Sequence, residues 1–416
     1  MKHCLKIILC VCLASGAIYP DARSQEFSDT DSLSHTAITE IDSDERNATL
    51  YADSIGFLRK TPRWMRQYIN SLIKGNVDRT HEKAIDIGFG MAPSYTYEAS
   101  VGIGAMCTGL YRTNRSDSTL IPSDVFASFN ASVNGFFVLM IKGNNLFSDH
   151  KSRLSYKMEL YRKRLNFWGI DAESTSRNPK SAYDRRQIDL KVQYVYRLSN
   201  SLYIGAQARF DYTDARRMKN PEYLLGERPQ YYVTGLGLLV ELDTRNSILT
   251  PTRGYYLAYQ PMVYPKFMGN APSFFNSHTL IGNIYVGLSR RTTLAFDLYA
   301  NINSARAPWT MREMIASDGI RMRGYYMGSY LDNSQISLQM ELRQNIYRRL
   351  GGVVWLGGAS VFSSLKDFKS KDSRPQWLPN WGIGARFEFK HNVNIRVDYG
   401  FGRHTSGLLF SIGEAF

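Results

Sequence analysis

A transmembrane barrel of 16 antiparallel strands is the all-β fold class that this sequence predicts, on three observations. Past about residue 84, apolar and polar residues alternate with period two again and again. No apolar run approaching the ~20 residues of a spanning helix follows the amino-terminal leader. The connections between alternating segments sort by parity into very short ones and long polar ones, as an antiparallel barrel with turns at one rim and loops at the other requires.

The leader, residues 1–24, carries Lys2 and Lys6 ahead of an apolar run from Ile7 to Ile18, then Ala22-Arg23-Ser24 before Gln25. That order predicts a cleavable secretory signal, because the run is too short to cross a bilayer. No small-residue lipobox precedes Cys10 or Cys12, which argues against a lipoprotein. Cleavage removes Cys4, Cys10 and Cys12 and leaves Cys107, so neither an internal disulfide nor a cysteine metal site is expected. The seven histidines are scattered, and no metal or other cofactor is expected. The net charge of +14 is spread through every segment rather than gathered on one face. A solvated lumen and anionic headgroups account for it, and nucleic acid is not an expected partner.

Residues 25–60 form an expected flexible periplasmic lead-in, acidic and polar over 26–48. Residues 61–83 hold an expected amphipathic helix and linker, "TPRWMRQYINSLIKGN", with Pro62 at its start and Gly75 at its stop. Trp64, Met65, Tyr68, Ile69, Leu72 and Ile73 share one helical face, with Arg63, Arg66, Gln67, Asn70 and Lys74 elsewhere. Such a helix is suited to lie on the inner leaflet, to enter the lumen or to cap the periplasmic mouth.

The barrel occupies residues 84–416. In "HNVNIRVDYGF" Val393, Ile395, Val397, Tyr399 and Phe401 fall on one face, with Asn394, Arg396, Asp398 and Gly400 on the other. "IDLKVQYVY" and "LAFDLYANI" repeat the pattern. The expected strands are 84–92, 96–111, 125–134, 136–145, 151–162, 185–198, 201–214, 231–244, 253–264, 277–289, 292–304, 334–347, 351–363, 380–390, 393–402 and 407–416. Connections after strands 6, 10, 12 and 14 are very short, and those after 5, 7, 9, 11 and 13 long and polar. The link 112–124 is the misfit, long where a short turn is expected. An abundance of Tyr (27) and Phe (21) suits aromatic girdles at two membrane interfaces. Closure is required, since an unpaired edge in hydrocarbon strands its backbone groups.

The last expected strand, "SGLLFSIGEAF", sets Leu408, Phe410 and Ile412 on one face and ends at Phe416. Glu414 interrupts that face, where it is expected to sit near the headgroups. The order "IRMRGYYMGSY", "SLQMELRQNIYRRLGGVVWLGGASVF" and "DYGFGRHTSGLLFSIGEAF", with "ELDTRNSILTPTRGYYLAY" upstream, resembles the Omp85 superfamily of BamA/TamA-like surface-antigen barrels, clearly over about 235–416. The resemblance implies that Phe410, Ile412 and Phe416 belong to a carboxy-terminal signal read by the outer-membrane barrel assembly machinery. It also implies a loop after strand 11 that folds into the lumen with Arg323, Gly324 and Tyr325 at its tip. The aspartate that the family usually carries on strand 13 is Gly357 here, which leaves Glu341 as the candidate partner of Arg323. The alternative is an exposed loop arginine with no structural partner.

These residues set out three functions. The resemblance implies insertion or translocation of proteins, or of lipids, at the bacterial outer membrane through a labile seam between strands 1 and 16. Gly88 and Gly90 on one side and Gly407 and Gly413 on the other would weaken that seam. The 59 residues 25–83 are too few for the periplasmic POTRA modules of such proteins, so a partner protein is expected to replace them; outer-membrane lipid and lipopolysaccharide surround the barrel. The second function is a passive pore or lipid conduit. The third, an outer-membrane phospholipase, needs His404 and Ser406 to meet an acidic orienter that the loop does not offer, so catalytic residues are not expected.

Overall fold

The computed structural model describes residue 80 and residues 83–416, apart from 97–99, 118–119, 121, 150, 249, 348, 370–374 and 391–392. The expected leader, lead-in and amphipathic helix lie outside the described residues. The strands are β1 (Asp86–Thr96), β2 (Ser100–Tyr111), β3 (Ser123–Ser132), β4 (Phe137–Leu146), β5 (Ser152–Phe167), β6 (Ser181–Arg197), β7 (Leu202–Arg216), β8 (Gln230–Asp243) and β9 (Gly254–Tyr264). They continue as β10 (Phe275–Gly287), β11 (Thr292–Asn303), β12 (Glu313–Met314), β13 (Leu331–Asp332), β14 (Ser334–Tyr347), β15 (Leu350–Phe362), β16 (Leu378–Lys390), β17 (Val393–Gly402) and β18 (Thr405–Ile412).

Sixteen of these make one antiparallel sheet in chain order, while β12 and β13 pair separately inside the β11–β14 connection. The single-residue alternation decides which side of the sheet is which. On β6, Ile188, Leu190, Val192, Tyr194 and Tyr196 are exposed on the outer face, as lipid contact requires, while Gln187 on the inner face is buried. The same holds on β1, where Ile87, Phe89 and Met91 face out.

Neighbouring strands are hydrogen-bonded throughout the sheet, which begins at β1 and ends at β18. These two edges stand side by side with Cα atoms within 8 Å, yet no ladder joins them among the described residues. Among the described residues the barrel is therefore not closed by backbone pairing.

The two rims differ. At one, the connections are mostly tight, such as 198–201 and 288–291; at the other, long loops follow β5, β7, β9, β11 and β15. Next to the seam even the long-loop rim is low, with only 133–136 between β3 and β4 and 403–404 between β17 and β18. The long loops pack into an apolar dome around Trp309, with Phe167, Ile170, Tyr183, Leu224 and Leu331. Trp309 donates its Nε1–H to the Arg228 carbonyl at 2.8 Å, and Arg312 pairs with Glu227 at 2.6 Å. Tall strands β5 to β8, of 14 to 17 residues, carry this dome.

Candidate functional site

The β12–β13 ladder is the stem of a hairpin that descends from the dome along the inner face of β14–β17. Its tip, Arg323-Gly324-Tyr325, reaches β17. Gly324 has φ 103, a conformation a side chain would strain, and a Cβ there would collide with the Gly400 backbone. Gly400 and Gly402 leave the β17 wall bare, so that the Arg323 backbone and the Tyr325 ring lie flat on it. Tyr325 then donates its hydroxyl to the Pro379 carbonyl at 2.7 Å and accepts from the Arg403 amide at 2.8 Å. Met322 (φ 54), buried with Ile315, Ala359 and Val361, keeps the turn in a strained backbone state that its packing over-determines.

Arg323 is 2% exposed. Its guanidinium pairs with Glu341 of β14 and, at 2.9 Å, with Asp398 of β17; its face stacks 3.7 Å over the Trp355 indole of β15. A buried charge is tolerated only when so compensated. Two chains of ion pairs leave this point toward the short-turn rim. Glu341 bonds Arg343 at 3.0 Å, and Arg343 donates to the Phe416 main-chain oxygen at 2.7 Å while lying over its ring. Asp398 pairs with Arg386 at 2.6 Å, and Arg386 pairs with Glu414 at 2.9 Å. A second arginine anchors the hairpin higher up: Arg321 forks onto Asp297 of β11 at 2.7 Å through both Nε and Nη2, and bonds Asp318 at 2.8 Å. Near the long-loop rim, burial pushes the carboxyls of Glu313 and Asp332, opposite each other in the stem, above the usual range.

A family model described as the Omp85 superfamily domain matches residues 136–416, more than half of the chain. The chain belongs to the Omp85 superfamily. The fold of this Omp85 barrel is similar to CdiB from Escherichia coli, at a TM-score of 0.53 and 10% identity over 80% of this chain and 63% of that one. CdiB from Acinetobacter baumannii aligns at 0.48 and 11% identity over 84% and 67% of the two chains. BamA from Haemophilus ducreyi lacking POTRA domains 1-3 aligns at 0.49 and 10% identity over 78% and 70%. No curated protein matches the sequence. The chain thus spans less than two thirds of the Escherichia coli CdiB chain.

In this Omp85 barrel the hairpin residues Arg323, Gly324 and Tyr325 and the expected partner Glu341 come together at one place. Asp398, Trp355 and Asn380 join them there without having been singled out in the sequence; Asn380 donates its amide both to the Arg323 carbonyl and to the Phe401 carbonyl. The signal for Asp398 was present, since alternation puts it on the polar face of its strand with Arg396. Gly357 does stand on β15, but β17 supplies the second carboxylate. The carboxy-terminal residues do not form one apolar stripe. β18 ends at Ile412, Gly413 turns the chain at φ 85, and the Glu414 side chain, 7% exposed, lies in the lumen instead of among headgroups. The reason is charge: Arg386 and Asn394 offer Glu414 a paired site that a strand continued along the lipid face lacks. Phe416 follows it inward, away from the face of Leu408 and Phe410, and Gly413 is a turn residue rather than a member of the last strand. Gly88 and Gly90 lie in β1, and Gly407 in β18 faces Gly324. Ser406 shares a hydrogen bond with Tyr399 at 3.1 Å, and none joins it to His404 among the described residues.

Proposed function

We propose that this Omp85 barrel inserts or translocates proteins, or lipids, at the bacterial outer membrane by opening between β1 and β18, with the luminal hairpin holding the closed state. The observation that carries the reading is the missing ladder: neighbours elsewhere in the sheet are hydrogen-bonded, and β1 and β18 adjoin without pairing. An unpaired strand edge is a template for a client strand. The ion pairs running from Arg323 to Glu414 and Phe416 support a role for the hairpin, because they join its tip to the residues that immediately follow the seam strand. In this reading residues 1–24 are a secretory leader, 25–60 a periplasmic lead-in and 61–83 an amphipathic helix that works at the short-turn mouth with a partner protein, while Phe410, Ile412 and Phe416 contribute to recognition during assembly.

The test is a disulfide across the seam. Single cysteines at 87–91 of β1 are paired with single cysteines at 406–410 of β18 in a Cys107→Ser background. The expected result is that at least one pair closes and that the oxidised protein fails to restore outer-membrane protein composition to a deletion strain, with recovery on reduction. Full restoration by the oxidised protein, or failure of every pair to close, sinks the proposal.

A further inference from the structure

Beyond the lumen and the seam, an arginine cluster sits on the outer face of β5–β7, where a barrel is expected to be greasy. The apolar outer stripe of β6 runs from Ile188 to Leu198. At ~3.4 Å per residue and ~40° tilt those ten steps span about 26 Å, the height of an apolar barrel band. One rung further toward the long-loop rim the cross-strand row reads Phe137, Arg162, Arg186, Asp214; the next reads Arg164, Asp184, Arg216. With Arg217, which also pairs with Asp184, five guanidinium groups face two carboxylates just above the hydrocarbon.

The pairing within the cluster is uneven. Asp214, the register partner of Arg186, bonds Arg216 at 2.5 Å instead. Asp184 is shared by Arg162 at 3.8 Å, Arg164 at 3.7 Å and Arg217. Arg186 has no hydrogen bond or ion pair among the described residues, and its Nε is buried without an acceptor. A guanidinium next to an apolar belt and lacking an anion is costly unless a ligand supplies one. The space for it exists: an open cleft of about 310 Å³ is lined by Phe137, Leu160, Arg162, Arg186, Asp214 and Arg216. Its floor is apolar and its upper wall cationic, the order of groups met when passing from an acyl chain to a phosphorylated headgroup.

We propose that this cleft binds a phosphate group of an outer-leaflet glycolipid, with Arg186 and Arg162 forking the phosphate oxygens and Leu160, Ile188 and Phe137 meeting the first acyl carbons. Planar guanidinium groups suit phosphate bidentately. Long barrel loops face outward, which sets the cluster at the level of the phosphorylated sugars rather than at the inner leaflet. The site is independent of any opening at the seam, which lies on the other side of β1.

The experiment uses the full chain in detergent micelles, with native mass spectrometry counting retained bisphosphorylated lipid A. Arg162→Gln/Arg186→Gln is compared with wild type and with Arg290→Gln/Arg291→Gln at the opposite rim; heat-modifiable electrophoretic migration checks folding. The double variant is expected to bind about tenfold more weakly or worse, the control to match wild type, and lipid A stripped of phosphate to bind wild type no better than the double variant binds the intact lipid. Should the double variant fail to fold, Arg186→Gln alone is expected to show the loss. Undiminished binding by a folded variant, equal binding of phosphate-free lipid, or displacement of the lipid by inorganic phosphate at equal concentration each overturns the proposal.

Discussion

On one side of the seam, β17 and the residues after β18 turn Arg396, Asp398 and Glu414 toward the lumen, where Arg386 and Arg323 receive the two carboxylates. On the other side, β1 offers Asp86 and then Gly88 and Gly90 on the corresponding face. The carboxy-terminal flank is thereby tied to the hairpin and through it to the dome, whereas β1 is joined to β2 by its ladder. If the barrel opens as proposed, the difference makes the seam asymmetric: charge ties the carboxy-terminal lip to the hairpin, and the glycine-bearing lip is the one proposed to move. The hairpin tip is then the part of the molecule whose removal should be felt most.

Arg323→Ala breaks that comparison most severely. It leaves Glu341 and Asp398 buried beside each other without their shared cation, a loss of about 3–5 kcal/mol. A large fall in the thermal midpoint of the heat-modifiable band is expected, with proteolytic access to residues 304–333. Arg323→Lys keeps a charge but cannot fork across two carboxylates, and should fall between. An unchanged midpoint in the alanine variant would show that the tip does not hold the wall.

A pair of glycine substitutions sharpens the contrast between the lips. A Cβ added at Gly400 meets the Arg323 carbonyl and the Gly324 nitrogen, backbone atoms that cannot yield without lifting the tip; about 1–3 kcal/mol is expected. A Cβ at Gly90 meets the Met106 side chain, its Cγ at 3.3 Å, and a flexible thioether can move aside. Gly90→Ala should therefore cost well under ~1 kcal/mol. Chemical denaturation in detergent measures both, and equal losses would remove the asymmetry.

Much of this architecture was legible in the sequence because a barrel strand writes its environment residue by residue. Ile188 to Tyr196 alternate between lipid and lumen, and the count of 16 strands needed nothing more. Boundaries drifted where connection and strand share a composition, as at β2, which begins at Ser100 rather than 96. Long-range pairing was less visible. Nothing near Arg323 indicates that Asp398, 75 positions away, will meet it, since that contact depends on how far the hairpin descends. Glu414 misled for a related reason: local alternation carries it onto the lipid face, and only Arg386, placed by a different strand, explains why the chain turns at Gly413 instead.

The smallest expected effect lies at the other end of the hairpin, where the stem reverses the logic of the tip. The tip sets the Arg323 guanidinium against two carboxylates, but Glu313 is half-buried with Tyr299 and Asn301 as its hydrogen-bond donors at 3.1 and 2.6 Å, and desolvation raises its pKa. A carboxyl raised in the fold binds its proton more tightly there than in the unfolded chain. Its favourable contribution is full below the unfolded value of about 4.3 and is lost as pH climbs through the raised one. Amide hydrogen exchange at 313–316, corrected for intrinsic rates, should thus show the stem tightening as pH falls from neutral through that raised value. Glu313→Gln keeps the shape without the titration, so it should match or slightly exceed wild-type protection at neutral pH and lose much of the slope, Asp332 accounting for the remainder. An identical pH slope in wild type and variant would place the sensitivity elsewhere, and would leave Arg323 and Arg321 as the arginines that anchor the hairpin by charge.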